Sequence, residues 1–552
     1  MIRPEEWCPS DGLTLEPHAF LAATSTERNL VVTAGPGAGK TELLAQRADF
    51  LLRTGVCPYP RRILAISFKV DAARNLRDRV RRRSGNQLAS HLDSFTFHAF
   101  AKRIIDNYRP ALTGQNELAP DYRVDAVSRI PSEQITFDDL VPLALEILKS
   151  NRYVGNVIRQ TYSHVFLDEF QDATGPQYDL LKEIFLGSRA LLTAVGDGKQ
   201  KIMTWAGALD GILLEFAEDF SAVPVTLFQN FRSAPRLRRM QNRMIAEMDP
   251  SAVVPDQDLE GDDGVIEIEG FNNASEEAAF IAERIRAWLE DGVDPSEIAV
   301  LVRQQAGLYT AQLGNELDKR GIPFRNEQTN QDLNAEPAAA LVFNFLRVIV
   351  DDGQADAYVE LMRLFNRSNL SEEECLRSDR RFKNLLQEAQ QQARVCESNQ
   401  LGKQFWLSWV ERCLSLIPRS TLLALSPGYQ QGRRLDEVIY QAIEVFEDER
   451  FKCGDAARAL RRLSEKEAVR FLTIHKSKGL EFDKVIILGL ENEMFWGDQS
   501  DALAAYFVAA SRAKTHLTLT WARYRPRPEE HKGKWNVYRN PHQRFIDFGN
   551  VD

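Results

Sequence analysis

The segment from Leu30 to Leu52 constrains the fold of this chain most strongly. Leu30–Ala34 has the apolar composition of a buried strand, Thr41–Leu52 has the pattern of a helix, and a glycine-rich turn joins them. That turn and its flanks read Ala34-Gly35-Pro36-Gly37-Ala38-Gly39-Lys40-Thr41. Such a turn lets backbone N–H groups approach a phosphate, and the start of the helix adds partial positive charge. The sequence therefore predicts a phosphate-binding loop in which Lys40 reaches the β- and γ-phosphates and the Thr41 hydroxyl binds Mg²⁺.

Apolar runs of strand length alternate with amphipathic stretches over most of the chain, which predicts βαβ units and parallel sheets. The predicted strands are Leu30–Ala34, Ile63–Ser67, Val165–Leu167, Ala190–Val195, Val223–Phe228, Val265–Glu269, Ile298–Val302, Val469–Thr473, Lys484–Leu490 and His516–Trp521. The predicted helices include Thr41–Leu52, Asp71–Arg83 and Ser275–Leu289. Residues 351–462 have a mostly helical pattern. The sequence thus predicts two α/β domains, the second of which is interrupted by a helical insertion.

Composition excludes several other classes of protein. Six Cys in 552 residues, with no C-x-x-C pair, exclude a disulfide scaffold and disfavour a zinc or iron–sulfur site. No apolar run approaches the length of a membrane span, and the N-terminal MIRPEEWCPSDG has no signal-peptide pattern, so we expect a cytoplasmic protein without a membrane partner. The net charge of −10 means that any nucleic-acid site must be a local groove.

An acidic pair follows a second apolar strand, in the run Phe166-Leu167-Asp168-Glu169-Phe170-Gln171-Asp172. Carboxylates at the C-terminal end of a parallel strand face the ligand crevice of the sheet. We expect Asp168 to hold Mg²⁺, directly or through water, and Glu169 to polarise the attacking water. A solvated strand end would have the same pattern, but the upstream phosphate loop favours the catalytic interpretation.

Further segments follow in a fixed order along the chain. They are Ile63–Phe68 with Ala72 and Ala73 (motif Ia), Thr96–Phe100 (Ib), Asp168–Asp172 (II), Val195–Asp197 with Gln200, Ile202, Trp205, Gly207 and Ala208 (III), Gln229–Ser233 (IV), Thr473–Asp483 (V) and Val508–Lys514 (VI). With the phosphate loop, they resemble the motifs of UvrD/Rep-type superfamily 1A DNA helicases. The resemblance implies an α/β fold of two RecA-like, parallel-sheet P-loop domains with small, mainly helical accessory insertions.

The resemblance also implies domain boundaries and an activity. RecA-like domain 1A would comprise residues 1–101 and 137–263, with a reduced 1B insertion at 102–136. Domain 2A would comprise residues 264–351 and 463–552, with a compact helical 2B insertion at 352–462. The expected activity is ATP-dependent 3′→5′ translocation on single-stranded or tailed DNA, with ATP and Mg²⁺ as cofactors.

Residue roles follow from the motif match. The catalytic residues would be Lys40, Glu169, Gln200, Arg232 and Arg512, with the two arginines reaching the γ-phosphate and Gln200 reporting its presence. The nucleotide-binding residues would be Gly35, Gly37, Ala38, Gly39, Lys40, Thr41, Glu42, Phe231, Gly479 and Glu481, with Phe231 on the adenine and Glu481 on the ribose. Mg²⁺ would be held by Thr41 and Asp168. DNA would contact Phe68, Thr96, His98, Trp205 and His475, with the two aromatic rings stacking on bases.

Two interpretations stay open at this stage. The arginine-rich helix that carries Arg74, Arg77, Arg79, Arg81, Arg82 and Arg83 is either a solvated face or a patch that contacts DNA phosphates.

The chain also departs from the family: no adenine-reading Gln lies near His18, Met203 and Ala206 replace a motif III tyrosine and arginine, and the accessory insertions are short. A second hypothesis is therefore a DNA-sensing ATPase subunit with little processive unwinding. Such a subunit would resemble the helicase-like subunits of Gabija-type antiphage systems, in which a partner nuclease cuts.

Overall fold

The computed structural model describes residues 1–68, 70–125, 128–197, 211–227, 230–250, 253–327, 333, 336–351, 353–365, 372–395, 402–426, 429, 433–464, 466–529, 531 and 533–551. Contacts divide the chain into two compact units. The first comprises Met1–Glu277, Val300–Tyr309 and Leu472–Asp552. The second comprises Ala278–Ala299 and Thr310–Phe471.

The N-terminal half of the chain builds a six-stranded sheet in the order β3, β2, β6, β7, β1, β8. Its pairings β1–β7, β1–β8, β2–β3, β2–β6 and β6–β7 are all parallel. A separate two-stranded sheet joins β4 and β5. The strands are β1 Leu30–Ala34, β2 Arg62–Ser67, β3 Leu92–Thr96, β4 Leu118–Asp125, β5 Ser132–Thr136, β6 Tyr162–Leu167, β7 Leu191–Gly196 and β8 Val223–Leu227.

The second half builds another six-stranded sheet in the order β11, β12, β10, β13, β14, β9. The pairings β11–β12, β13–β14 and β14–β9 are parallel. Its strands are β9 Val265–Phe271, β10 Ile298–Val302, β11 Phe324–Asn326, β12 Val469–Thr473, β13 Phe482–Leu488 and β14 Ala513–Ala522.

Helices connect the strands and make up most of the second unit. In the described chain they are α1 Pro17–Thr24, α2 Lys40–Arg53, α3 Val70–Ala89, α4 Phe97–Tyr108, α5 Phe137–Ser150, α6 Arg152–Thr161, α7 Gly175–Phe185, α8 Ile212–Asp219, α9 Pro235–Met248, α10 Ala274–Glu290, α11 Ala306–Tyr309, α12 Ala311–Lys319, α13 Pro337–Val350, α14 Ala355–Phe365, α15 Glu372–Val395, α16 Lys403–Ser415, α17 Arg419–Ala424, α18 Arg434–Cys453, α19 Ala456–Leu463, α20 Ile474–Ser477, α21 Gln499–Ala510 and α22 Gln543–Gly549.

Strand β2 shows why the first sheet is parallel and buried. Its residues contribute alternately to two hydrophobic cores: Leu64 and Ile66 to one, Ile63 and Ala65 to the other. Side chains alternate across a strand, so an uninterrupted apolar run must be covered on both faces. Helices on both faces of the sheet provide that cover. Because the strands are parallel, their carboxyl ends lie at one edge.

The predicted α/β class with two RecA-like domains and helical insertions is confirmed. All predicted strands are present within the described residues, and β1, β10 and β12 begin and end at the predicted positions. The strands that sequence patterns missed are β3, β4, β5 and β11. They are short or rich in polar residues, as in Leu92-Asp93-Ser94-Phe95-Thr96, and therefore lack a continuous apolar run. The domain boundaries derived from the motifs stay a prediction.

Candidate functional site

The glycine-rich loop leads from the carboxyl end of β1 into the first turn of α2. Gly37 and Gly39 have φ angles of 73° and 76°, a left-handed conformation that favours glycine. A Cβ atom on Gly37 would meet Asn230 Oδ1 and would lie 2.7 Å from Arg232 Cβ. The Phe231 N–H also donates to Gly37 O at 3.0 Å. Position 37 thus requires glycine both for its backbone angle and for its packing against residues 230–232.

Lys40 is buried within this loop. Its Nζ donates to Ala34 O at 3.1 Å and to Gly35 O at 3.3 Å. An ammonium group has three N–H donors, so one more is available to a phosphate oxygen. The structure therefore places the Lys40 charge inside the loop, where the sequence predicts that it acts.

The acidic pair begins where β6 ends. Thr41 Oγ1 donates to Asp168 Oδ2 at 3.4 Å, which brings together the two oxygen groups predicted to bind Mg²⁺. Glu169 has a left-handed backbone (φ 52°, ψ 41°), which costs about 1–3 kcal/mol in a non-glycine residue. Gln171 Nε2 donates to Glu169 Oε2 at 2.7 Å, and Gln171 Oε1 accepts from Asp197 N at 3.0 Å. The turn and the amide together fix the direction of the Glu169 carboxylate.

The two carboxylates titrate in opposite directions. Burial, together with the adjacent Glu169 charge, raises the pKa of Asp168 to about 7. Burial would also raise the pKa of Glu169, but the positive charges of Lys40 and Lys478 and the hydrogen bond from Gln171 lower it to about 2. Glu169 is therefore ionised at neutral pH, as a residue that polarises water must be.

Residues from motifs IV, V and VI meet near the loop. Arg232 Nε donates to Glu481 Oε2 at 2.9 Å, and Arg232 Nη1 donates to Ser511 O at 3.0 Å. Lys514 Nζ lies 3.6 Å from Glu481 Oε1. Burial opposes ionisation of Glu481, but Arg232 and Lys514 hold its pKa below the ordinary value. Phe231 is 63% exposed, so its ring is accessible for stacking on a base.

Arg512 is almost fully buried. Its Nε donates to Val508 O at 3.0 Å, its Nη1 to Leu480 O at 3.0 Å and its Nη2 to Ser511 Oγ at 2.9 Å. Burial and the nearby Arg232 lower its pKa to about 9, while Glu169 is among the acidic groups that oppose this shift. Arg512 thus lies within electrostatic reach of the acidic pair while its guanidinium is held by the segments of motifs V and VI.

A buried ion pair escaped the sequence reasoning. Lys478 Nζ donates to Asp172 Oδ2 at 2.6 Å, and the two side chains are 4% and 1% exposed. Both residues stand inside quoted motifs, V and II, but neither was assigned a role. The charged residue in each motif was the available signal, but local sequence does not predict a pair across 306 positions.

Glu42 has partners that the motif match did not predict. Its Oε2 accepts from Arg79 Nη1 and Arg83 Nη2, both at 2.8 Å, and its Oε1 accepts from Gln46 Nε2 at 2.9 Å. Arg79 and Arg83 belong to the arginine-rich helix α3. Part of that helix therefore faces the phosphate-loop helix, which neither open interpretation of its arginines had considered.

The described residues of the predicted DNA site lie at the carboxyl edges of the two sheets. Phe68 directly follows β2, and Thr96 ends β3. Thr96 Oγ1 also accepts from Ala99 N at 3.1 Å, so this hydroxyl caps α4. His98 packs edge-on against Phe137, with ring centroids 6.3 Å apart, and burial lowers its pKa. His98 is accordingly a neutral ring at neutral pH.

His475 lies at the matching edge of the second sheet. Arg303 Nη1 is 3.4 Å from both ring nitrogens of His475, which places the guanidinium beside the imidazole. Arg303 directly follows β10, and the sequence analysis did not single it out. Gln200 and Trp205, like Met203 and Ala206, lie outside the described residues.

A phosphate loop, an acidic pair two strands away and a buried arginine next to a strand of the second sheet define a P-loop nucleoside triphosphatase with two RecA-like domains. The chain belongs to the UvrD/Rep helicase family. The family described as "UvrD/REP helicase N-terminal domain" matches residues 15–133 and 128–221. The "UvrD-like helicase C-terminal domain" matches residues 225–375 and 456–524.

Similar proteins carry helicase names. One is the "Probable DNA helicase II homolog" of Mycoplasma capricolum, which is 22% identical over 92% of this chain and 84% of its own length. "ATP-dependent DNA helicase PcrA" of Staphylococcus epidermidis is 24% identical over 86% of this chain and 77% of its own. The protein of that name from Staphylococcus aureus is 24% identical over 91% of this chain and 82% of its own length.

The chain is accordingly an ATP-dependent DNA helicase of the UvrD-like class. These relatives give no support to the hypothesis of a DNA-sensing subunit with a nuclease partner. In the part of the chain that the structure describes, no helix is both long and apolar enough to span a membrane.

Proposed function

We propose that this chain hydrolyses ATP at the loop of Gly35–Thr41 and uses that energy to move 3′→5′ along single-stranded DNA. The observation that supports this most strongly is the convergence at one sheet edge of Lys40, the Thr41–Asp168 contact and the ionised Glu169. Phosphoryl transfer depends mainly on positioning and charge neutralisation, and these side chains provide both.

The nucleotide would be bound by residues of both sheets. Gly35, Gly37, Ala38 and Gly39 offer backbone N–H groups to phosphates, and Phe231 offers an exposed ring to the base. Arg232 and Glu481 now pair with each other at 2.9 Å, so binding of a triphosphate would draw Arg232 toward the γ-phosphate and leave Glu481 for the ribose. Gly479, which has a left-handed φ of 83°, would contribute to the nucleotide site from the segment just before Glu481.

Mg²⁺ fits the oxygen donors at the acidic pair. Thr41 Oγ1 and Asp168 Oδ2 are 3.4 Å apart, and hydroxyl and carboxylate oxygens are the ligands that this cation accepts alongside phosphates and waters. When bound, Mg²⁺ would neutralise charge on the phosphates. Glu169 would orient and deprotonate the attacking water, and Arg512 would stabilise the charge that develops on the transferred group.

DNA would follow the carboxyl edges of the two sheets. On the first sheet, Phe68, Thr96 and His98 would contact it, and on the second His475 would, together with Arg303. Trp205, which lies outside the described residues, stays a predicted DNA contact. Stacking on aromatic rings is insensitive to sequence, since every base has a π-face. That suits a motor that must step along any strand.

Purified Lys40→Ala and Glu169→Gln variants test the chemistry. Lys40→Ala should lose both ATP binding and turnover, whereas Glu169→Gln should still bind ATP and lose only kcat, because the carboxylate acts on the water. ATP hydrolysis, with and without single-stranded DNA, and nucleotide binding are the measurements. Undiminished hydrolysis by Lys40→Ala would rule out this site.

The direction of movement needs a separate assay. Strand displacement on a duplex with a 3′ tail should exceed that on a matched duplex with a 5′ tail, and both should require ATP. Preference for the 5′ tail would contradict the proposed polarity without affecting the assignment of the ATP site.

A further inference from the structure

The carboxylate of Glu42 joins two helices that begin at the same sheet edge, α2 at the phosphate loop and α3 beside the predicted DNA site. Glu42 directly follows Thr41 in the first turn of α2. Its Oε2 accepts from both Arg79 and Arg83 of α3, each at 2.8 Å. The Arg83 side chain is 1% exposed and that of Glu42 17%. Because one oxygen holds two guanidinium groups of the same helix, it fixes the separation of α2 and α3 at this point.

Helix α3 starts beside the predicted DNA site. Its first residue, Val70, stands two positions after Phe68. Arg79 and Arg83 are four residues apart and so lie on one face of α3. Any shift of α3 that accompanies stacking of a base on Phe68 would therefore reach Glu42, and through it Thr41 of the phosphate loop.

The N-terminal segment closes the network around Glu42. Asp11 Oδ2 lies 3.3 Å from Arg83 Nε. Ser10 N donates to Gln46 Oε1 at 3.0 Å, Gln46 Nε2 donates to Ser10 O at 3.2 Å, and the same Nε2 donates to Glu42 Oε1. The carboxylate is thus held from three sides. Loss of such a partner would leave a buried arginine charge without its carboxylate, which strongly destabilises a fold. The contact between Glu42 and Arg83 is therefore costly to break.

We propose that Glu42 is a positioning residue that couples DNA on α3 to the phosphate loop on α2, acting through Arg79 and Arg83 and not through contact with the nucleotide. This inference rests on the proposed DNA-stimulated ATP hydrolysis. It assigns Glu42 a role different from the one that the motif match implied, and it gives the arginine-rich helix an intramolecular function.

The test compares variants of the full-length chain. Glu42→Gln removes the charge and keeps the shape, and Arg83→Gln removes the other side of the contact at a residue that is not itself among the predicted nucleotide ligands. Asp49→Asn is the matched control. Asp49 is also a buried carboxylate on α2 that holds α3, through Ser84 Oγ at 2.8 Å, but it accepts from none of the α3 arginines described here. Melting temperature is recorded for each variant.

The readout is the ratio of ATPase kcat with saturating poly(dT) to kcat without DNA, beside the KM for ATP. Glu42→Gln and Arg83→Gln should each lower the ratio by at least about fivefold, the lower end of typical coupling between sites. Arg83→Gln should leave the KM for ATP unchanged, and Asp49→Asn should keep the ratio even if it lowers the melting temperature.

Other outcomes overturn the inference in distinguishable ways. A normal ratio in Glu42→Gln would refute it, as would an equal loss in all three variants. A raised KM for ATP in Glu42→Gln, with a normal ratio in Arg83→Gln, would show that Glu42 is a nucleotide ligand. If Arg83→Gln does not fold, Arg79→Gln, at a residue whose side chain is 33% exposed, replaces it. Absence of DNA stimulation in the unmodified chain would refute the proposed function as well.

Discussion

At the scale of single residues, burial raises the pKa of Asp168, whereas nearby cations and a hydrogen bond keep the pKa of Glu169 low. The pKa of Asp168 is about 7, against about 3.9 for an ordinary aspartate. Between roughly pH 4 and pH 7 the folded chain therefore holds a proton that the unfolded chain has released, so the free energy of unfolding falls as the pH rises through this window.

Asp168→Asn should remove this loss of stability at higher pH. With EDTA present, the variant should melt at a higher temperature than the unmodified chain at pH 8, and at the same temperature near pH 4, where Asp168 is neutral in both states. Thermal melting across this range measures the effect. The variant should also lose any stabilisation by ATP with Mg²⁺. An equal or lower melting temperature at pH 8 would contradict the assigned shift.

Asp172→Asn is the control, because its effect should have the opposite sign. It would leave Lys478 buried without its carboxylate partner, which typically costs about 3–5 kcal/mol. The melting temperature should therefore fall at neutral pH. The contrast between neighbouring aspartates in one turn separates a carboxylate retained for chemistry from one that stabilises the fold.

Arg512→Ala tests the catalytic arginine. We expect nearly normal ATP affinity and a kcat lowered by about 10³–10⁵, as for other arginines that complete a phosphoryl-transfer site. The loss of three hydrogen bonds should also lower stability, by about 1–3 kcal/mol for an acceptor left unsatisfied. ATP binding by the folded variant must be shown first. Weakened ATP affinity with a normal kcat would contradict the role.

At the scale of elements, the phosphate loop is shaped by the segment that follows β8 as well as by its own sequence. Gly37→Ala would force a Cβ against Asn230 and Arg232 in addition to straining a φ of 73°. Backbone strain alone costs about 1–2 kcal/mol. We therefore expect a larger loss of stability than that, together with a loss of ATP binding, measured by denaturant unfolding and nucleotide titration.

Gly454→Ala isolates the backbone contribution. Gly454 has a φ of 70° at the end of α18, and a Cβ there would meet nothing within 4 Å. Its substitution should cost only the backbone strain and leave ATP binding intact. Equal losses of stability in the Gly37→Ala and Gly454→Ala variants would show that the packing of Gly37 against residues 230–232 does not contribute to stability.

At the scale of the whole molecule, the helical unit determines where the chain can be shortened. Helix α13 buries Leu341, Phe345 and Ile349 in the same core as Trp406 and Phe446, which lie beyond residue 352. The predicted insertion boundary at 352 thus falls between helices that share one core. Exposing side chains worth about 1.5–3 kcal/mol each would exceed what a marginally stable fold can lose.

Two replacements by a Gly/Ser linker test this directly. A linker in place of residues 336–463 should leave a soluble protein with ATP hydrolysis stimulated by single-stranded DNA, because the motifs lie outside it. A protein with the linker in place of residues 352–462 should aggregate or unfold, because α13 loses the helices that it packs against. Soluble yield, melting temperature and ATPase decide between them. If the 352–462 replacement is as stable as the longer one, α13 is not held by that core.

The sequence by itself determined the class of the fold, the order of the motifs and the phosphate loop, because these depend on local spacing and on runs of apolar residues. It predicted Lys40, Thr41, Asp168 and Glu169 as one site, because the carboxyl ends of parallel strands share an edge. Polar strands such as β3 and β4 were missed, since their apolar pattern is weak.

Only the tertiary structure decided which charges meet. The pairs Lys478–Asp172, Arg232–Glu481 and Arg83–Glu42 span 306, 249 and 41 positions, and nothing in local sequence selects one carboxylate over another for each cation. The opposite pKa shifts of Asp168 and Glu169 likewise depend on burial and on cations that approach from distant segments. Packing decides such contacts because electrostatic energy depends on distance and desolvation in space, and not on separation along the chain.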